Sequence, residues 1–228
     1  MPTPHFTPEL FAFLRRLKKH NSRDWFESHK REYVDHVRDP MLRFIADFAP
    51  RLEKISQHFV ADPSPSGGSM FRIHRDTRFS KDKSPYKTAA TAQFRHEAAR
   101  DVHAPMFYLH LEPGRVFVGA GIWHPDGPTL AAVRGRIVAD VAGWKKATSG
   151  AVLKRSFAFA GESLKRPPRG FDPEHPLVED LKRKDHVVVS EMDEAAAVSP
   201  GFLGEFAKRC RTASGYVRWL TGTLDLPF

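Results

Sequence analysis

The chain has 228 residues, with 36 Lys and Arg against 27 Asp and Glu, for a formal charge of +9. A hydrophobic share of 41% that includes 18 Phe excludes global disorder, and the length suits one large domain with a well-buried core. The positive balance favours acidic partners such as phosphates, nucleic acid or an anionic surface. A single cysteine, Cys210, excludes an intramolecular disulfide, and its apolar helical position reads as a buried, inert thiol. No apolar run approaches membrane-spanning length, and MPTPHFTPEL lacks a charged segment followed by an apolar one. The expected setting is therefore the cytoplasm, with no membrane partner.

Thr7 and Pro8 read as an N-cap and first helical position, followed by Leu10, Phe13, Leu14 and Leu17 at helical spacing. After Asn21 and Ser22, a second helix carries Trp25, Phe26, Tyr33 and Val37. Asp39 and Pro40 repeat the cap-then-proline signal for a third, with Met41, Phe44, Ile45, Phe48, Leu52, Ile55 and Phe59 on its apolar side. Pro50 predicts a kink or break near 46–49, because proline removes a backbone donor and crowds the preceding turn. The loop ADPSPSGGS, 61–69, ends the helical portion.

From Met70 the apolar period changes to two: Phe71 and Ile73, then Ala90, Ala92 and Phe94, then Phe107, Leu109 and Leu111, then Val116, Val118, Ala120 and Ile122. Pro113-Gly114 makes a tight turn between the last two runs. A two-residue turn sets Leu111 opposite Val116, Leu109 opposite Val118 and Phe107 opposite Ala120 on one apolar face. On the other face His110 lies opposite Phe117, Tyr108 opposite Gly119 and Met106 opposite Gly121. Glycines within a strand mark close approach of a ligand or of another backbone.

A long helix from Leu130 carries Val133, Ile137, Val141 and Trp144 and is expected to cover one face of the sheet. The proline-rich segment 164–176 is irregular. Asp172-Pro173 predicts a short helix bearing Leu177 and Leu181, His186 to Ser190 another strand, and Ser199-Pro200 the last helix, with Phe202, Phe206, Cys210, Ala213, Val217 and Leu220 buried. The expected fold is a single α+β domain over 1–228. It comprises a helical portion at 1–60, a mainly antiparallel sheet at 70–123 and a helix-rich portion at 128–228; the short turns leave no room for parallel crossovers.

The stretch MFRIHRDTRFSKDKSPYK, 70–87, carries six cations against Asp76 and Asp82. Arg forks and Lys ammonium groups together grip phosphate or carboxylate, so the expected ligand site joins Arg72, Arg75, Asp76, Arg78, Lys83, Tyr86 and Lys87 to Tyr108, His110, Gly119 and Gly121. The competing structural reading has the two aspartates pinning a loop through ion pairs, with strand parity pointing to a partly buried Arg75 and Asp76 pair. His96-Glu97 opens like H-E-x-x-H, but Arg100 stands where the second His is needed. The two S-x-x-K matches, Ser80 to Lys83 and Ser84 to Lys87, lack their companion motifs. No phosphate-binding loop, dinucleotide fingerprint or nucleophile elbow occurs, so neither a cofactor nor a reaction is named.

The runs WFESHKREY, FRIHRDTRFSKDKSPYK, YLHLEP with VGAGIW, and LKRPPRGFDPEHP with LKRKDHVVV resemble, in order and over nearly the whole chain, the uncharacterised family catalogued as domain of unknown function 2461. The family's R-x-x-R-D-x-R-F-S-x-D-K-x-P-Y-K pattern falls on Arg72 through Lys87 without departure. The resemblance implies a single domain and carries no catalytic role. The leading expectation is a pocket for a phosphate-bearing or other anionic small molecule. The alternative is nucleic-acid binding over a broad basic surface, with Trp123, Tyr108 or Phe79 stacking on bases. A lower alternative is a metal-assisted hydrolase using Asp76, Asp82 and His110, which would have to converge in space.

Overall fold

A computed structural model describes residues 3–98 and 104–228; Met1 and Pro2 of the N-terminal segment and Arg100 of the incomplete metal motif lie outside the described residues. Helix α1 (Pro8–Lys19) buries Leu10, Phe11, Phe13, Leu14 and Leu17 and ends beside α2 (Arg23–Ser28), which Ser22 caps by accepting from the Trp25 amide. The second helix expected from the periodicity is broken at His29. From α3 (Lys30–Tyr33) the chain then runs without interruption through a π-helical turn, Val34–Arg38, into α4 (Asp39–Glu53).

Helix α4 thus starts at Asp39-Pro40 as expected, but it runs on from the π-helical turn with no side-chain cap between them. Pro40 has no N–H to offer the preceding turn, and the Asp39 amide reaches back to the Val34 carbonyl in the wider π pattern. Pro50 likewise leaves α4 intact: the carbonyl deprived of a donor belongs to Ala46, on the exposed side, and only one turn remains before Glu53. Ile55 and Phe59 fall beyond the helix.

The sheet is antiparallel throughout, in the order β1-β2-β3-β5-β4, from β1 (Ala90–Arg95), β2 (Met106–Glu112), β3 (Arg115–Ile122), β4 (Ala158–Ala160) and β5 (His186–Met192). The hairpin register is the expected one: Leu111 pairs with Val116, Leu109 with Val118, Tyr108 with Gly119 and Met106 with Gly121. Phe71 and Ile73 do not form a full strand. That run makes a single bridge, Met70 to Ala92, at the free edge of β1.

One face of the sheet is apolar and lies under α4 and the long α10 (Phe202–Thr223), whose Phe206, Cys210, Ala213, Val217 and Leu220 are fully buried. The Leu130 helix divides at Asp140 into α5 (Gly127–Ala139) and α6 (Val141–Thr148), because the Asp140 carboxylate takes the Gly143 amide and starts a new helix. Both halves pack against α10, and Trp144 of α6 reaches the sheet at His186. Asp172 accepts the Glu174 amide in a turn, so the short helix starts later than expected, as α8 (Val178–Leu181). Two further one-turn or two-turn helices, α7 (Ala151–Ser156) and α9 (Glu194–Ala197), carry no apolar period long enough to read. No helix among the described residues is long and apolar enough to cross a membrane.

Candidate functional site

The second face of the sheet is polar and partly open. Strand parity puts Tyr108, His110 and Glu112 of β2 on it, with Thr91 of β1 paired to His110 on one side and Phe117 of β3 on the other. The segment 70–89 and the end of α1 wall this strip into a cleft of about 520 Å³, lined also by Lys18, Asn21, Phe71, Arg75, Ser84 and Lys87.

The wall is built by a short zipper. His74 bridges Tyr86, the Arg75 amide donates to the Pro85 carbonyl at 2.9 Å, and the Lys87 amide donates to Ile73 at 2.8 Å. Asn21 fastens this zipper to the helices: its side chain donates to the Tyr86 carbonyl at 2.9 Å and accepts the Tyr86 amide at 3.1 Å. The Tyr86 ring stacks on Phe26, 4.1 Å between centroids, so this tyrosine anchors the wall through its side chain.

Beyond the zipper, residues 76–84 form a loop held by its own charges. Arg75 pairs with Asp82, Arg78 with Asp76 at 2.7 Å, and the Lys83 ammonium donates to the Thr77 carbonyl at 2.9 Å. The partly buried Arg75 and Asp76 pair expected from parity is replaced by these two pairs, since a chain that turns at 76–84 no longer follows strand alternation. Donation from Ser84 and then Arg75 holds the Asp82 carboxyl well below the usual carboxylate range, and Arg78 does the same for Asp76.

Lys87 differs from these cations. It is half-buried over the Phe71 ring at 5.0 Å, and its ammonium has no hydrogen-bond or ion-pair partner among the described residues. Burial lowers its pKa, and the neighbouring Arg72 adds like-charge repulsion.

On the cleft floor three side chains form a hydrogen-bonded line. The Tyr108 hydroxyl lies 3.2 Å from His110 Nδ1, and His110 Nε2 lies 3.3 Å from Glu112. Thr88 donates to the other Glu112 oxygen at 2.9 Å, and Lys18 stands 3.9 Å from it. The imidazole stacks on Phe117 at 4.5 Å. Burial lowers the His110 pKa, opposed by Glu112 and, more weakly, Glu191, and assisted by Arg115; burial raises that of Tyr108, against which the Thr91 hydroxyl acts as a donor.

A family model covers residues 9–219 of the chain and describes a conserved hypothetical protein. The chain belongs to the DUF2461 family. No curated protein and no solved structure matches it.

Of the residues expected at the ligand site, the cleft brings together Arg75, Tyr86, Lys87, Tyr108 and His110. Arg72, Asp76, Arg78 and Lys83 are exposed outside its wall. Packing explains one of the two strand glycines. A Cβ on Gly119 would meet Tyr108 Cβ at 3.4 Å, an ordinary contact that does not demand glycine. Gly121, at φ +124°, admits the His186 carbonyl, which a Cβ would meet at 2.1 Å. Phe79 is 94% exposed at the loop tip and Trp123 is 42% exposed after β3, while Tyr108 is inside the cleft. No three His, Cys, Asp or Glu side chains among the described residues converge as a metal-ligand group, Asp76, Asp82 and His110 included.

Sequence reasoning missed Glu112, Thr91, Lys18 and Asn21. Glu112 was within reach, because it shares β2 parity with Tyr108 and His110, whereas Thr91 needed the register of β1 against β2. Lys18 and Asn21 gave no signal, since only the docking of α1 against β2 and the zipper brings them to the cleft.

Proposed function

We propose that the cleft binds a small anionic molecule bearing phosphate or carboxylate, with the Lys87 ammonium as its principal counter-charge. The observation that carries this reading is that the half-buried Lys87 ammonium rests on the Phe71 ring with no carboxylate or hydrogen-bond acceptor paired to it among the described residues. Three cations line the cleft against two carboxylates; Arg75 is matched by Asp82 and Lys18 lies nearest Glu112, which leaves Lys87 in surplus. A half-buried ammonium with no anionic partner is costly, and an anion drawn from solution relieves that cost. The hydroxyls of Ser84 and Thr88 and the aromatic wall of Phe71 supply the mixture of a few polar groups and apolar surface typical of small-ligand sites. Nucleic acid is the weaker reading, because Arg75, Arg78 and Lys83 are already engaged by Asp82, Asp76 and Thr77.

The test is thermal unfolding with inorganic phosphate and a panel of phosphate- and carboxylate-bearing metabolites. A ligand at one hundred times its Kd stabilises by about 2.7 kcal/mol, which for a chain of this size raises Tm by roughly 5 to 10 °C. The rise is expected in the wild type and lost in Lys87→Met, which keeps the aliphatic stem over Phe71. A panel without any rise, or a rise retained in Lys87→Met, sinks the reading.

A further inference from the structure

The line Tyr108, His110, Glu112 does more than a binding floor requires. Alternation along β2 stacks the three side chains on one face, and each link is a hydrogen bond. Glu112 is fixed from behind by Thr88, and His110 is clamped between the strands by its stack on Phe117. The carboxylate can only accept, so His110 Nε2 carries the proton and Nδ1 presents its lone pair to the Tyr108 hydroxyl. Both imidazole nitrogens are thereby committed within the protein. The group left to exchange a proton with a ligand is the Tyr108 oxygen, in the same cleft as Lys87.

We propose that Tyr108 abstracts a proton from a bound anionic carbonyl compound, a 2-oxo acid or a keto-phosphate, with His110 and Glu112 as its relay; this rests on the anion-binding reading above. The carbonyl class follows from what the cleft contains. The Ser84 hydroxyl donates to Asp82 and the Thr88 hydroxyl to Glu112, and no serine or threonine hydroxyl among the described residues hydrogen-bonds the imidazole, whose hydroxyl partner is Tyr108. Acyl transfer through a serine or threonine therefore lacks its activating base, whereas a proton relay beside an unpaired cation suits enolate formation.

In the step, the C–H bond next to the carbonyl breaks and its proton joins the Tyr108 oxygen as the phenol's own proton passes to His110 Nδ1. The electron pair of the broken bond stays on the substrate as an enolate, whose charge the Lys87 ammonium offsets. The imidazolium keeps Glu112 as its counter-ion. Return of a proton from the Tyr108 oxygen to the same carbon regenerates the carbonyl compound and completes an exchange with no co-reactant.

Two measurements test this. Proton NMR in D2O follows deuterium entering pyruvate, 2-oxobutanoate and dihydroxyacetone phosphate, each present at a concentration that raises Tm. Exchange above the buffer rate is expected in the wild type, with a loss of about 100-fold or more in Tyr108→Phe. That variant keeps the ring over Gly119 and the Lys87 cation, so its Tm rise with the probe is retained. In the second measurement, nitrogen-15 NMR of histidine-labelled protein at pH 7, without ligand, locates the His110 proton. The relay requires it on Nε2, and Glu112→Gln is expected to lower the His110 pKa.

A proton on Nδ1 overturns the relay. So does a probe that raises Tm yet exchanges no faster than in buffer, or exchange that persists in Tyr108→Phe. If no probe raises Tm, the anion reading falls and takes the substrate class with it, while the tautomer still decides the relay.

Discussion

His186 offers a sharp test of how burial governs this fold. It opens β5 on the covered face of the sheet, fully buried, its ring edge-on to Trp144 at 5.9 Å, and neither ring nitrogen has a hydrogen-bond partner among the described residues. Burial, reinforced by the charges of Arg183 and Arg134 and opposed by Asp185, brings its pKa from 6.5 down to about 3. The unfolded chain therefore takes up the proton first as pH falls. Stability is fully present above about pH 6.5 and is lost progressively toward pH 3, at about 1.4 kcal/mol per pH unit. Between pH 7 and pH 5 this one side chain accounts for roughly 2 kcal/mol.

The perturbation is His186→Leu, which removes two unpartnered nitrogens and nearly conserves volume, so stability at pH 7 is expected to stay level or rise. Urea unfolding of both proteins at pH 7, 6 and 5 then isolates the residue, because every other titrating group is common to the two. The wild type should lose roughly 2 kcal/mol more than the variant over this range. Parallel pH dependence in the two proteins would refute the assignment of His186 as a neutral, buried ring.

Two other perturbations test the architecture around the cleft. Asn21→Ala removes both hydrogen bonds to the Tyr86 backbone and is expected to cost about 1–3 kcal/mol in urea unfolding, with faster amide exchange along 73–75 and 85–87; unchanged exchange there would count against the zipper as the cleft wall. Gly121→Ala places a Cβ against the His186 carbonyl at a φ that side chains avoid, and is expected to destabilise by about 2 kcal/mol or more, whereas a variant as stable as the wild type would show that β3 and β5 do not approach so closely.

The α+β class, the hairpin register and the buried side of α10 follow from local information. A period of two with a Pro-Gly turn fixes which residues pair, and a 3.6 period fixes which helix side is buried. The same arithmetic placed Tyr108 and His110 on one polar face. It failed where a residue's role depends on something distant in the chain. Pro50 read as a kink or break, yet the nearby helix end absorbs its missing donor. The periodic run from Leu130 read as one helix until Asp140 captured the Gly143 amide.

The basic stretch 70–87 shows the limit most clearly. Its composition announced a charge cluster, but composition does not say which cation meets which carboxylate. Only the turn at 76–84 pairs Arg75 with Asp82 and Arg78 with Asp76, and only the packing of α1 and the zipper over the sheet leaves Lys87 half-buried beside Tyr108 and His110. Sequence determined the β2-β3 hairpin, the buried side of the long helices and the inventory of charge. Tertiary structure decided which charges pair to hold the fold and which cation in the cleft is left without a carboxylate, because ion pairing and desolvation depend on distance and burial, and neither is a local property of the chain.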